Sequence, residues 1–261
     1  MPDLAASVSW MFNEVALPER FGLASAVGFR AVEIQAPYSE SAERLAECIA
    51  DADLQVALIN MPVAVGAIPG EEQVFRDGLA KALSYAEALE CGRIHCLAGR
   101  TDDAKAETTF IDNVRWAADE AAARGVHLML EPLNTVDNPG YFLTGSEQAR
   151  RIIERVGREN VRLQYDIYHM QIMEGRLADS IAAHFDLIGH IQISGVPGRN
   201  EPDDQQEINY PFLLSKVDEL GYDGWVGCEY RPRAGTLSGL SWARPYGITD
   251  DVGRETEGTE P

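Results

Sequence analysis

Short apolar runs of strand length recur along this chain, and stretches with helical spacing lie between them. The runs are "LAASVSWMF" from Leu4, "AVEIQ" from Ala31, "QVALINMP" from Gln55 and "RIHCLAG" from Arg93. They continue with "HLMLEPLN" from His127, "VRLQYDIYH" from Val161, "IGHIQISGV" from Ile188 and "GWVGCEYRP" from Gly224. In the intervening "FIDNVRWAADEAAARG", Ile111, Val114, Ala118 and Ala122 fall near one helical face. "EQARRIIERVGREN" sets Ile152, Ile153 and Val156 opposite its charges, and Gly28, Gly125, Gly157 and Gly221 stand where helices should stop. Alternating strand and helix patterns imply right-handed crossovers and a parallel sheet. Eight such units of roughly 30 residues make about 250, the usual length of a closed (β/α)8 TIM barrel. The expected fold is α/β, one such barrel over residues 1–246, followed by a loose acidic tail, "GITDDVGRETEGTEP", at 247–261. No G-x-G-x-x-G or G-K-[ST] motif follows any strand, which argues against a nucleotide-binding open sheet.

Composition narrows the partners. A formal net charge of −20 makes nucleic acid and anionic membrane surfaces poor partners, so neither is expected. No apolar run is long enough to span a bilayer. "MPDLAASVSWMF" lacks a basic n-region and a long apolar core, so no signal peptide is expected. Cys48, Cys91, Cys96 and Cys228 are scattered without a C-x-x-C pair and read as small hydrophobes of a reducing, cytoplasmic compartment. Self-association into a homo-oligomer is compatible with such a chain and is left open.

A barrel of this kind carries its active site at the carboxyl ends of its strands. Glu131 ends the fifth run, Asp166 and His169 the sixth, Gln192 lies in the seventh and Glu229 ends the eighth. Glu229 follows an apolar strand, where a carboxylate needs a partner. The plain readings are an ion pair with Arg231 or Arg233, or a strand end meeting water. Four oxygen-bearing side chains on four consecutive strands favour a shared site instead. Two Glu, one Asp and one Gln form a hard-cation set suited to Mg²⁺ or Mn²⁺.

With those residues in view, "YDIYHMQIMEG", "HIQISGVPGRNEPDDQQEINYPFL" and "GYDGWVGCEYRP" resemble the hydroxypyruvate isomerase family, a branch of the xylose-isomerase-like barrel superfamily that includes 2-oxo-tetronate isomerases. "FIDNVRWAADEA", "LEPLN" and "SWMF" match as well. The resemblance implies a divalent cation on Glu131, Asp166, Gln192 and Glu229, with Glu131 and Glu229 as the acid/base pair. It implies that His169 contacts substrate, as in the related ketose 3-epimerases, which usually carry histidine where this chain has Gln192. Moving a proton between adjacent carbons of an α-hydroxy ketone runs through an enediolate, which a metal can stabilise. Two glutamates can abstract and return the proton, or one can shuttle it.

The leading expectation is interconversion of hydroxypyruvate and 2-hydroxy-3-oxopropanoate. The alternatives are isomerisation of a 2-oxo-tetronate, a ketose 3-epimerase, an endonuclease of the same superfamily and a non-catalytic sugar-binding barrel. A small 2-oxo or hydroxy acid needs a cation for its carboxylate. Arg199, on the loop after the seventh strand, is the first candidate, against a surface pairing with Glu201 or Asp203; Arg231 and Arg233 follow. Asn60 near the end of the third strand is a further candidate substrate contact. His95 is expected to be a core or strand-end histidine, and His127 and His190 to lie deep or toward the opposite end. Trp10 and Phe12 are expected either to wall the pocket or to pack in the core, and "NTVDNPGYF" to form a lid or an ordinary connector.

Overall fold

The computed structural model describes residues 2–249. The chain runs β1 (Asp3–Ser7), α1 (Leu17–Ala26), β2 (Ala31–Ile34), α2 (Ala42–Asp51), β3 (Gln55–Asn60), α3 (Glu72–Ala88), β4 (Arg93–His95) and α4 (Ala106–Ala122). It continues β5 (His127–Leu130), α5 (Ser146–Val156), β6 (Val161–Asp166), α6 (Ile167–Met173), α7 (Leu177–His184), β7 (Ile188–Ile193), α8 (Tyr210–Glu219) and β8 (Trp225–Cys228). A 3₁₀ segment, Leu237–Tyr246, follows. All neighbouring strands pair in parallel, and β8 returns to β1 with Leu4 opposite Val226, so the sheet closes. This is the single eight-stranded barrel with surrounding helices that the alternation predicts.

The apolar faces of the helices pack against the outside of the barrel. On α4, Ile111, Val114, Ala118 and Ala121 are buried, whereas Ala122 is exposed. The predicted stripe drifts by one residue at its end because the helix turns every 3.6 residues. All four predicted stop glycines adopt positive φ, and Gly157 (φ 64) caps α5 in the left-handed conformation that glycine tolerates best.

The tail expectation meets the structure at its first residues. Ile248 is buried and the Thr249 N–H donates to Val27 O at 2.8 Å, so Gly247–Thr249 finish the packing under α1. The remainder, from residue 250, lies outside the described residues. Among the described residues no helix is long and apolar enough to cross a membrane. The four cysteines are free, and all but Cys48 are buried.

Candidate active site

Inward-facing residues fall two apart on a strand, and on β6 to β8 they build two polar layers. Gln164 and His190 oppose each other in register in the lower layer, Asp166 and Gln192 oppose each other two residues above them, and Glu229 joins the upper layer from the end of β8. Glu33 of β2 crosses the interior to join the lower one. Its Oε1 meets His190 Nε2, and its Oε2 accepts from Gln192 Nε2 at 3.0 Å and Gln35 Nε2 at 3.4 Å. Strands β2 and β7 are not sheet neighbours, so these contacts must pass through the barrel. Gly227 makes room, because a Cβ there would strike the Glu33 carboxylate. Gln192 Oε1 accepts from Gln164 Nε2 at 2.7 Å, so in this arrangement the amide of Gln192 faces the lower layer.

The upper layer is acidic. Glu131, Asp166 and Glu229 are all buried. Asp166 ends β6 and also caps α6, with Oδ1 accepting from the Tyr168 N–H at 2.8 Å, which fixes its carboxylate. Arg199 reaches in from the loop after β7. Its Nη2 lies 2.9 Å from Glu229 Oε2 and 3.1 Å from Asp166 Oδ2, and its guanidinium stacks on Trp10 and Tyr168. Glu229 therefore pairs with Arg199, and neither Arg231 nor Arg233 is its partner. Arg233 takes the partners considered for Arg199, namely Asp203 and Glu201. Arg199 holds a left-handed backbone (φ 54), and its carbonyl accepts from the Arg231 N–H at 2.7 Å, stapling the two loops together.

One guanidinium does not balance three buried carboxylates. Burial, then Glu229 and Asp166, push the Glu131 carboxyl well above the usual range. Burial pushes Glu229 up to about 8, with Arg199 opposing, and raises Asp166, again against Arg199. Glu131 Oε1 is buried without a hydrogen-bond partner, a costly state for a carboxylate oxygen. Excess acid charge and an orphaned oxygen fit a divalent cation.

Glu131, Asp166 and His169 each offer an atom within 4.8 Å of the others. The two carboxylates suit that role better than the imidazole. His169 Nδ1 faces the Asn134 N–H at 3.1 Å and the Asn134 side-chain amide nitrogen at 2.7 Å. That amide is oriented by its Oδ1, which accepts from the N–H groups of Val136 and Asp137. Two donors make Nδ1 the acceptor, so the proton sits on Nε2. Burial, then Arg199, hold the ring's pKa far below its usual value, so it is neutral. Its Nε2 lies 3.5 Å from Asp166 Oδ2 and 3.8 Å from Glu131 Oε1, near both carboxylates without a hydrogen bond to Glu131.

Of the remaining candidates, one comes out differently from its sequence reading. His95 is not a satisfied core histidine. It lies 3.2 Å from Glu131 Oε2 through Nδ1, outside hydrogen-bonding alignment, and neither ring nitrogen has a partner. Burial and His190 lower its pKa to about 3, so it is neutral. His190 lies within the barrel at the Glu33 layer, while His127 is exposed at the amino end of β5. Asn60 opposes His95 in register and keeps a buried, unpartnered Oδ1. Trp10 walls the mouth, whereas Phe12 packs edge-on against Phe29. The loop after β5 is stapled by Asn134 to His169 and by Asp137 to the Tyr168 hydroxyl at 2.7 Å, which makes it a fixed wall. Glu33 and Asp137 escape the sequence reading. Glu33 carries the same signal as Glu229, an acid in an apolar strand, but within the strand and not at its end.

The sequence profile of the xylose isomerase-like TIM barrel family matches residues 21–246. The chain belongs to that family. A 2-oxo-tetronate isomerase of Cupriavidus necator is 45% identical over 94% of this chain and 99% of its own length. The hydroxypyruvate isomerase of Escherichia coli is 41% identical over 94% of this chain and all of its own. A crystal structure described as an AP endonuclease, family 2, from Brucella melitensis superposes with a TM-score of 0.92 at 46% identity, covering 94% of this chain and 99% of that one.

Proposed function

We propose that this protein is a metal-assisted isomerase of small 2-oxo acids, interconverting hydroxypyruvate and 2-hydroxy-3-oxopropanoate. The observation that carries the reading is the upper layer: three buried carboxylates around one guanidinium, with Glu131 Oε1 left unpartnered. Full-length similarity to hydroxypyruvate and 2-oxo-tetronate isomerases supports the same chemistry. The higher identity to the Cupriavidus protein favours a second reading in which the substrate is a four-carbon 2-oxo-tetronate. Both acids share the ketol unit that is isomerised.

Glu131, Asp166, Gln192 and Glu229 would hold Mg²⁺ or Mn²⁺, Gln192 by turning its amide from Gln164. When bound, the ion polarises the ketol oxygens and stabilises the enediolate charge. Glu131 and Glu229 take and return the carbon-bound proton. The Nε2–H of His169 and the guanidinium of Arg199 donate to substrate oxygens, and Asn60 offers its free Oδ1 to a hydroxyl. Trp10, Tyr168 and the Asn134–Phe142 wall exclude water. The endonuclease description of the Brucella protein fits this chain poorly, since a net charge of −20 and an acidic mouth would repel a phosphate backbone.

Turnover assays with hydroxypyruvate, 2-oxo-tetronates and ketoses, with Mn²⁺ and after its removal, test the reading. It expects turnover of a 2-oxo acid that depends on the ion. Preference for a neutral ketose would move the protein to the epimerases.

A further inference from the structure

A 2-oxo acid brings a negative charge into a mouth that is already acidic, and something must receive it. We propose that Arg231 forms the subsite for the substrate carboxylate and so sets the preference for 2-oxo acids over neutral ketols. The inference deepens the isomerase reading and rests on it.

Three arginines follow the last two strands, and their partners separate them. Arg199 is committed: Nη2 serves Glu229 and Asp166, and Nε points at the Glu229 carbonyl at 3.4 Å. Arg233 is committed on the outer side of the loop, to Asp203 and Glu201. Arg231 forms no ion pair among the described residues, and its one acidic neighbour, Asp137, is already held by Asn134 and the Tyr168 hydroxyl. The Arg231 main chain is tied at both ends, by the N–H to Arg199 O (2.7 Å) and by the carbonyl, which accepts from Asn200 Nδ2 at 2.8 Å. Its head is laid over the Trp10 ring, 4.8 Å from the centroid, and Arg199 lies 4.9 Å from the same centroid. The same indole lies close enough to the Glu229 carboxylate to favour its charged form. One aromatic plate thus carries the committed guanidinium and the one without an ion pair, beside the proposed base.

The chemistry asks for this spacing. In a 2-oxo acid the carboxylate is bonded directly to the carbonyl carbon being isomerised. Its receptor must therefore stand beside the proton-transfer group, and Arg231 is two residues beyond Glu229. A guanidinium fixed by stacking loses little freedom on binding and can offer two parallel N–H groups.

The test compares hydroxypyruvate with dihydroxyacetone, the same ketol with a hydroxymethyl group in place of the carboxylate, in the full-length Mn²⁺-loaded enzyme. Arg231→Gln should raise KM for hydroxypyruvate about 10- to 100-fold with a much smaller change in kcat. The ratio of kcat/KM for the acid over the neutral ketol should fall by a similar factor. Arg231→Lys, which keeps the charge and loses the fork, should fall between. Thermal melts should match the wild type, because only the exposed head is altered. An unchanged ratio, or equal losses on both substrates, overturns the subsite. A wild-type protein that neither turns over nor binds any 2-oxo acid removes the isomerase reading itself, and the subsite with it.

Discussion

The two polar layers of this barrel lie one strand pleat apart and differ in charge balance. In the lower layer one carboxylate, Glu33, is met by an imidazole and two amides, and Gly227 is small to admit it. In the upper layer Asp166 and Glu229 share one guanidinium, Glu131 makes no ion pair with it, and Glu131 Oε1 has no hydrogen-bond partner. Both layers are buried, so burial alone does not mark the functional one. In the lower layer both oxygens of the one carboxylate have partners, whereas the upper layer gathers three carboxylates and leaves Glu131 Oε1 without one, which fits an added cation.

The comparison breaks most sharply under isosteric substitution. Glu131→Gln and Glu229→Gln keep size and an oxygen but remove the proton acceptor. Each should cut exchange of the substrate's carbon-bound proton with deuterated water by about 10²- to 10⁴-fold at saturating Mn²⁺. If both exchange at the wild-type rate, the two-glutamate mechanism fails. Glu33→Gln should act in the other direction. It places an amide donor against His190 Nε2 or Gln192 Nε2 and should cost about 1–3 kcal/mol of folding stability, read by denaturant unfolding. Its effect on metal-saturated turnover should be far smaller than that of Glu229→Gln. Comparable losses of turnover in the two variants would merge the layers into one site.

A smaller effect is expected with pH in metal-free protein. Between about pH 4.5 and 6.5 two trends oppose: raised carboxyls bind protons better when folded, and the lowered His95 and His169 bind them better when unfolded. Above about pH 6.5 the unfolded imidazoles lose their remaining protons and the carboxyls outweigh them. The folded pKa values of the carboxyls are raised, so their stabilising contribution is lost as pH rises through them, toward about 8 for Glu229. Melting temperature in the presence of a chelator should fall from pH 6.5 to 8, and saturating Mn²⁺ should abolish the slope. A chelated protein that gains stability over that range would contradict the charge excess.

The fold was legible because each strand and helix is a local pattern repeated along the chain. Glu131, Asp166 and Glu229 were legible for a related reason, since an acid ending an apolar run is visible in four or five residues. What the pattern could not carry were the pairings across the barrel. Glu33 reaches β7 over more than 150 positions, and no local window shows it. Gln192 stands at the expected height, but its partners, Gln164 and Glu33, come from the lower layer. His95 looked like a core residue because its run is apolar, yet in the closed barrel it abuts Glu131. Which arginine was free depended on where Asp203 and Glu201 fold back, and that is a property of the loops.

The central claim is that the upper layer is a cation site. An anomalous difference map from crystals grown with Mn²⁺, joined to a calorimetric titration of the same protein, tests it directly. The account predicts one strong peak among Glu131, Asp166, Gln192 and Glu229, one ion per chain, and release of protons on binding above pH 6.5. A map with no peak there, with the Glu131 and Glu229 carboxylates turned out of the barrel mouth, would contradict it.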